Sequence, residues 1–176
     1  MVGAMQALIR VRKSSVMYSY VIVIVFEAII LAGISFALMC YVKTAESNML
    51  DEKAYEIAHN VREHILEMYS IAIFAEKPER DRYLVAAMYL DLPTSLGKHN
   101  YAVHVKDVNH DGIYDVIVDI HDIGHRVYVS CMIENSSSIR FEGRMLGSGG
   151  IYSIACYIYA NGTMLFILSN TKLLSS

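Results

Sequence analysis

Oxygen-bearing side chains recur at short, regular intervals in residues 107–115, which read DVNHDGIYD. Loops that bind Ca²⁺ place oxygen ligands at alternate positions, with a glycine at the sixth position for the sharp turn and a backbone carbonyl at the seventh. The segment has this spacing, with Gly112 at the sixth position. It predicts a structural Ca²⁺ site whose ligands are Asp107, Asn109, Asp111, Asp115 and the backbone carbonyl of Ile113.

The loop alone does not fill the coordination shell that it predicts. It offers about five of the six to eight oxygens that Ca²⁺ takes, and Val118 stands where such loops carry a bidentate acid. Asp119, Asp122 or water would have to supply the rest. The alternative interpretation is a β-hairpin turn built on the Asp111-Gly112 pair, which explains those two residues but not the other oxygens.

A membrane span is the second feature of chemical interest. Residues 18–42 form an apolar run of 25 residues whose only charge is Glu27. A helix rising about 1.5 Å per residue over that length crosses the ~30 Å hydrocarbon core of a bilayer. A helix buried in a soluble core seldom stays apolar on every face, and the apolar part of a removable signal peptide is shorter. The run therefore predicts a transmembrane helix.

Glu27 carries a free-energy cost inside a membrane. A carboxylate at the bilayer centre costs about 2.5–3.5 kcal/mol on insertion scales, so it is usually protonated, paired or turned toward protein. One interpretation is a neutral side chain bonded to a neighbouring helix without a functional role; the other, which we favour, is a contact in an assembly. Small residues nearby let a second helix approach closely. The predicted assembly residues are Glu27, Ala28, Ala32, Gly33 and Ser35.

Charge is distributed unevenly about the apolar run. Residues 1–17 carry three basic side chains and no acidic one, whereas residues 43–176 carry 12 basic and 17 acidic side chains. The positive-inside rule then predicts a cytoplasmic N-terminus and an extracellular segment after residue 42. Sequons at Asn135 and Asn161 are compatible with export and glycosylation. The net charge of −3 gives no reason to expect a nucleic-acid partner.

An amphipathic helix is predicted after the apolar run. Apolar residues recur there at three- and four-residue steps, with charged residues on the opposite face. This apolar stripe comprises Leu50, Ala54, Ile57, Ala58, Val61, Ile65, Met68 and Ala72. We predict one long helix over residues 15–76 that joins both patterns. Asn48 and Asp51 have the spacing of an N-cap, which marks the alternative of a kink or restart at that point.

From there the hydrophobic period changes to two, as in half-buried strands. Alternation is clear in residues 101–106, 114–120, 127–133, 139–145 and 154–158, with turn signals between them. The predicted fold is therefore α+β, a long N-terminal helix followed by an antiparallel β-sheet or sandwich. The predicted organisation is a basic cytoplasmic leader over residues 1–14, the helix over 15–76, and an extracellular β-rich head over 77–176.

Other residues with reactive side chains form no catalytic pattern. Cys131 and Cys156 fall on core-facing positions of two different strands, which leaves a disulfide and two buried thiols equally open. The chain contains no phosphate-binding Gly-rich loop and no recognisable Ser/His/Asp arrangement. With 55% hydrophobic and 19% charged residues, it also departs from the roughly 45–50% and 25% of soluble domains. We predict a non-enzymatic membrane protein without a small-molecule substrate.

This layout resembles the type IV pilin-like proteins, in particular archaeal pilins and pseudopilins made with a class III signal peptide. The matching features are the sequence RKSS at residues 12–15 before the apolar run, the two-part helix, and three phrases in the β region: LPTSLG at 92–97, residues 143–150 ending in SGG, and YANGT at 159–163. The resemblance implies cleavage between Ser14 and Ser15 and a structural role in a filament, assembled with itself or with other pilins. A membrane-anchored β domain that binds an envelope partner without polymerising is the alternative.

Overall fold

The computed structural model describes the backbone of residues 2–79 and 81–170 and the side chains of residues 18–79 and 81–170. The predicted leader and its cleavage site at Ser14 and Ser15 thus lie outside the residues with described side chains. Within these described residues, one helix is followed by eight strands, with a 3₁₀ turn at His121–Ile123 after the third. They are α1 (Val2–Ile73), β1 (Arg82–Leu90), β2 (Tyr101–Lys106), β3 (Ile113–Ile120), β4 (His125–Glu134), β5 (Ile139–Gly143), β6 (Met145–Leu146), β7 (Tyr152–Tyr159) and β8 (Met164–Ser169).

The chain divides into two compact units, residues 1–48 and residues 49–176. The first unit consists of the N-terminal part of α1. The second unit contains the rest of α1 and all eight strands. From here on, this whole second unit is called the head. The helix passes through Asn48 and Asp51 without a break, so neither residue restarts it. It ends at Ile73, where the N–H groups of Phe74 and Ala75 donate to carbonyls three residues back.

Two four-stranded sheets make up the β part of the head, in the orders β1-β7-β8-β5 and β4-β3-β2-β6. The predicted α+β fold is confirmed. All strand pairs in these sheets are antiparallel except β5 and β8, which run parallel. That pair differs from the purely antiparallel sheet that the alternating pattern suggests.

The alternation over residues 139–145, expected to form one strand, is divided between the two sheets. β5 ends at Gly143, and β6 pairs with β2 in the other sheet. Gly143 has φ +82°, and a Cβ on it would lie 2.3 Å from the Leu168 carbonyl oxygen. Only glycine accommodates that approach, so the chain changes sheets at this residue.

The head has one hydrophobic core, which includes one face of the helix and residues of both sheets. Every member of the predicted apolar stripe of α1, from Leu50 to Ala72, is buried in this core. About 90 residues of sheet alone would make a thin core. Because the helix covers it, the amphipathic half of α1 belongs structurally to the head.

Two of the three phrases noted in the sequence meet at the ring of Tyr101. Its hydroxyl donates to the carbonyl of Pro93, and the Tyr152 hydroxyl reaches the same oxygen at 3.4 Å. A Cβ on Gly147 would lie 2.3 Å from the Tyr101 ring, and the Gly147 N–H donates to the Tyr101 carbonyl at 2.7 Å. These phrases therefore have a structural role in packing around one buried tyrosine.

Candidate functional site

The predicted Ca²⁺ loop joins β2 to β3 at one end of their hairpin. The register pairs Tyr101 with Ile120 at the far end and Lys106 with Asp115 at the loop end. The intervening valines of both strands are buried in the head core. The loop is thus held by two strands whose apolar alternation fixes their register.

Hydrogen bonds between residues close in sequence shape the loop. The Gly112 N–H donates to Asp107 Oδ2 at 3.2 Å, and the Ile113 N–H donates to Asp111 Oδ1 at 2.9 Å. Gly112 has φ +80°, the left-handed conformation that a glycine adopts without steric cost. Asn109 and Asp111 are exposed, and His110 also has a positive φ, of 56°. The turn on Asp111-Gly112 is therefore present, and it explains only part of the loop.

Asp115 is the unusual group. Its side chain is only 4% exposed, and its Oδ2 is buried without a hydrogen-bond partner. The backbone N–H of Val108 in the loop donates to its carboxylate. Burial, reinforced by the nearby charges of Asp111 and Asp107, raises the pKa of Asp115. A buried carboxylate with one unsatisfied oxygen is costly unless something pairs with it.

Asp107 also has one buried carboxylate oxygen without a hydrogen-bond partner. Asp107 Oδ1 is buried without a partner, whereas Oδ2 accepts from Asn135 Nδ2 at 3.1 Å. The hydrogen bond from Asn135 is the main reason that the pKa of Asp107 is lowered. Two carboxylate oxygens in one loop therefore lack donors, and none of the ion pairs between described side chains involves Asp107, Asp111 or Asp115.

Asn135 reaches the loop from a different turn, the one between β4 and β5. In addition to its side-chain bond to Asp107, its backbone N–H donates to the Gly112 carbonyl at 2.7 Å. The sequence identified Asn135 only as a sequon and missed this contact. The signal in the sequence was indirect: β3 and β4 are consecutive and joined by a short turn, so a hairpin between them would bring the end of β4 beside the loop where β3 begins.

Asp119 and Asp122, which the sequence offered as ligands to complete the shell, lie elsewhere. Asp119 Oδ2 accepts from Arg126 Nε at 3.2 Å, and Asp122 Oδ2 accepts from the Asn100 N–H at 3.2 Å. Asp119 is four residues beyond Asp115 on β3, about 13 Å along a strand. Neither carboxylate is available to the loop, so that part of the expectation was wrong.

The side chains are not arranged around a common point. Within the part of the chain that the structure describes, no three His, Cys, Asp or Glu side chains converge closely enough to hold a metal ion. The Asp111 carboxylate is turned toward the Ile113 N–H, and Asp107 toward Gly112 and Asn135. A cation in this loop would have to turn these carboxylates inward, and the exposed Asp111 has room to move.

The predicted membrane span is one long helical segment with no cover. Every side chain in residues 18–42 is exposed, including the predicted assembly residues Glu27, Ala28, Ala32, Gly33 and Ser35. A Cβ on Gly33 would meet nothing within 4 Å. The helix is long and apolar enough to cross a membrane. The residues that would touch a second helix are therefore accessible along it.

The remaining predicted site residues have local roles. Cys131 on β4 and Cys156 on β7 are both fully buried and in different sheets, and they are free thiols rather than a disulfide. Burial raises the pKa of each to about 12. The second sequon residue, Asn161, accepts the Thr163 N–H at 2.9 Å in the β7–β8 turn. Both Asn135 and Asn161 are exposed.

Comparison with known proteins returned no match to a family model, to a curated protein or to a solved structure.

Proposed function

We propose that the protein is a structural subunit of a type IV pilus-like cell-surface filament, assembled through residues 18–42 of α1. The observation that carries the proposal is that this apolar segment is exposed on all sides, while the same helix has its later apolar stripe buried in the head. The pilin-like layout of the sequence supports it. Before assembly, the span crosses the membrane once, with the N-terminus in the cytoplasm and the head outside.

The driving force for assembly is the burial of this apolar surface. Outside lipid, each large apolar side chain that moves from water into a packed interior contributes about 1.5–3 kcal/mol. The head already uses the apolar stripe of α1 for its own core. A bundle of identical helices buries the segment on every side, with the heads on the outside of the bundle.

Glu27 sets the register of the bundle in this proposal. Its carboxylate pairs with an amine or an arginine of a neighbouring subunit, since an unpaired charge in an apolar bundle is costly. Ala28 and Ala32 have the small-xxx-small spacing that lets helices approach, and Gly33 lies beside them with free space around its Cα. The close contact therefore falls on the same part of the helix as the charge.

The mature N-terminus and the sheared cell-surface fraction provide the test. A start at Ser15, with filaments in the sheared fraction, supports the filament subunit. A protein that begins at Met1 and stays entirely in the membrane fraction contradicts it and favours the anchored β domain, with cytoplasmic exposure of the head contradicting both.

Matched carboxylate variants test the role of Glu27. Glu27→Gln should lower the yield of filaments by about tenfold or more, since a hydrogen bond to a charged group contributes about 1.5–3 kcal/mol. Glu52→Gln makes the same chemical change on the exposed face of the amphipathic half and should leave the yield unchanged. Equal yields from both variants would remove Glu27 from the assembly contact.

A further inference from the structure

We propose that the β2–β3 loop binds a Ca²⁺ ion and that Asn135, from the β4–β5 turn, supplies an oxygen ligand from outside the loop. This site is independent of the proposed filament, because all of its residues belong to the head. The oxygens come from Asp107, Asn109, Asp111, Asp115, Asn135 and the backbone carbonyl of Ile113.

The need for a cation is greatest at Asp115. Its side chain is about as buried as a core valine, yet one carboxylate oxygen has no donor. Burying such a group near the start of β3 brings no gain in packing, since an asparagine would serve the geometry as well. The Val108 N–H holds the carboxylate against the loop, with Asp107 and Asp111 close enough to repel it. A divalent cation would convert this repulsion into attraction.

Asn135 is placed to complete the shell that Asp119 and Asp122 do not reach. Its amide nitrogen lies 3.1 Å from Asp107 Oδ2. Two oxygens that bind the same Ca²⁺ ion at about 2.4 Å each are about 3 Å apart. The Asn135 amide is therefore as far from Asp107 Oδ2 as two ligands of one Ca²⁺ ion are from each other. A half-turn of the amide exchanges its nitrogen for its oxygen. With the cation present, Asn135 therefore changes from a donor to Asp107 into a ligand beside it.

The choice of Ca²⁺ over Mg²⁺ follows from the ligand set. Carboxylates, an amide oxygen and a backbone carbonyl on an exposed turn suit the flexible shell of six to eight oxygens that Ca²⁺ takes. Mg²⁺ requires near-ideal octahedral geometry and gives up its water reluctantly. The site would fasten the β2–β3 loop to the β4–β5 turn at one end of the head.

Calorimetric titration of the full-length chain in detergent with CaCl₂, and separately with MgCl₂, measures binding directly, and melting with and without EDTA measures its effect. Ca²⁺ should bind and raise the melting temperature, and EDTA should reverse the rise. At a hundredfold excess over Kd the unfolding equilibrium constant should fall about a hundredfold. The absence of both heat and shift, or binding of Mg²⁺ as tight as that of Ca²⁺, would overturn the proposal.

Asp115→Asn assigns the binding to this loop. In EDTA the variant should melt no lower than the wild type, because it removes a buried charge with an unpaired oxygen, and this shows that it folds. It should lose the response to Ca²⁺. If the response survives in Asp115→Asn and also in Asp111→Ala, the ion binds elsewhere and the proposed site is wrong.

Two substitutions of Asn135 separate a ligand from a hydrogen-bond donor. Asn135→Ala should weaken Ca²⁺ binding about tenfold or more, whereas Asn135→Asp retains an oxygen, adds a charge and should bind at least as tightly as the wild type. A donor role would make Asp at least as damaging as Ala, since it cannot donate to Asp107, and that result would exclude Asn135 as a ligand. Ser137→Ala removes the sequon but not Asn135 and should bind Ca²⁺ normally.

Discussion

The two halves of α1 are built from similar apolar residues, but they are surrounded by different neighbours. In residues 49–73 eight apolar side chains form one buried stripe, which the two sheets of the head cover. In residues 18–42 apolar side chains surround the helix, and nothing in the structure covers them. The period of the pattern makes the difference: a stripe can be buried by a partner on one side, whereas a helix that is apolar all round needs lipid or several other helices. One helix is therefore both an element of a folded head and a segment that requires a further environment.

The largest expected effect separates the halves by removing the same atoms from each. Ile65 is 0% exposed and Ile30 is 50% exposed. Ile65→Ala leaves a cavity in the head core and should lower its free energy of unfolding by about 2–5 kcal/mol. Ile30→Ala should leave that free energy unchanged. Denaturant unfolding of both variants in detergent, followed by the near-ultraviolet signal of the head tyrosines, checks this, and equal losses would contradict the division of the helix.

A smaller effect comes from adding atoms instead of removing them. Gly147→Ala would place a Cβ 2.3 Å from the Tyr101 ring, and over-packing of this kind costs about 1–3 kcal/mol. Gly33→Ala adds the same methyl group where nothing lies within 4 Å. Since alanine also favours helix, the head should melt unchanged in that variant. A stable Gly147→Ala protein would show that the Tyr101 contact is loose.

The sequence predicted the burial of a residue most reliably where the local period of the helix or strand determines which face that residue lies on. All eight residues of the α1 stripe are buried as expected, because the 3.6-residue period leaves only one face for them. The alternating strands were found for the same reason. The pairing of these strands was not predicted, since alternation shows which face of a strand is buried but not which strand lies beside it. The parallel pairing of β5 with β8, and the change of sheet at Gly143, depend on contacts far apart in the chain.

The candidate Ca²⁺ site also has a part that the sequence predicted and a part that it did not. The loop spacing identified the local oxygens and the Gly112 turn. It suggested Asp119 and Asp122 for the remaining positions because they are near in sequence, but each is engaged with other groups. Asn135 lies 28 residues from Asp107 along the chain and reaches it through the β3–β4 pairing. A ligand supplied by tertiary structure leaves no trace in the spacing of a loop.

The three cysteines allow the two halves to be compared without a substitution in either. Cys40 lies in the exposed apolar segment, whereas Cys131 and Cys156 are buried in the head. A membrane-permeant maleimide in detergent should modify Cys40 in the native protein and leave the other two. Burial raises the pKa of both head thiols to about 12, so almost none of either is the reactive thiolate at pH 8.

Modification of Cys131 and Cys156 should therefore require opening of the head, and its rate should report the population of the open state. Guanidinium chloride should expose both to rapid labelling. Ile65→Ala should accelerate their modification by about the factor by which it raises the unfolding equilibrium constant, while Ile30→Ala should not change it. Peptide mapping by mass spectrometry gives the rate at each cysteine. Equal rates at all three in the native wild-type protein would mean that the head core is open to reagent, contrary to its packing.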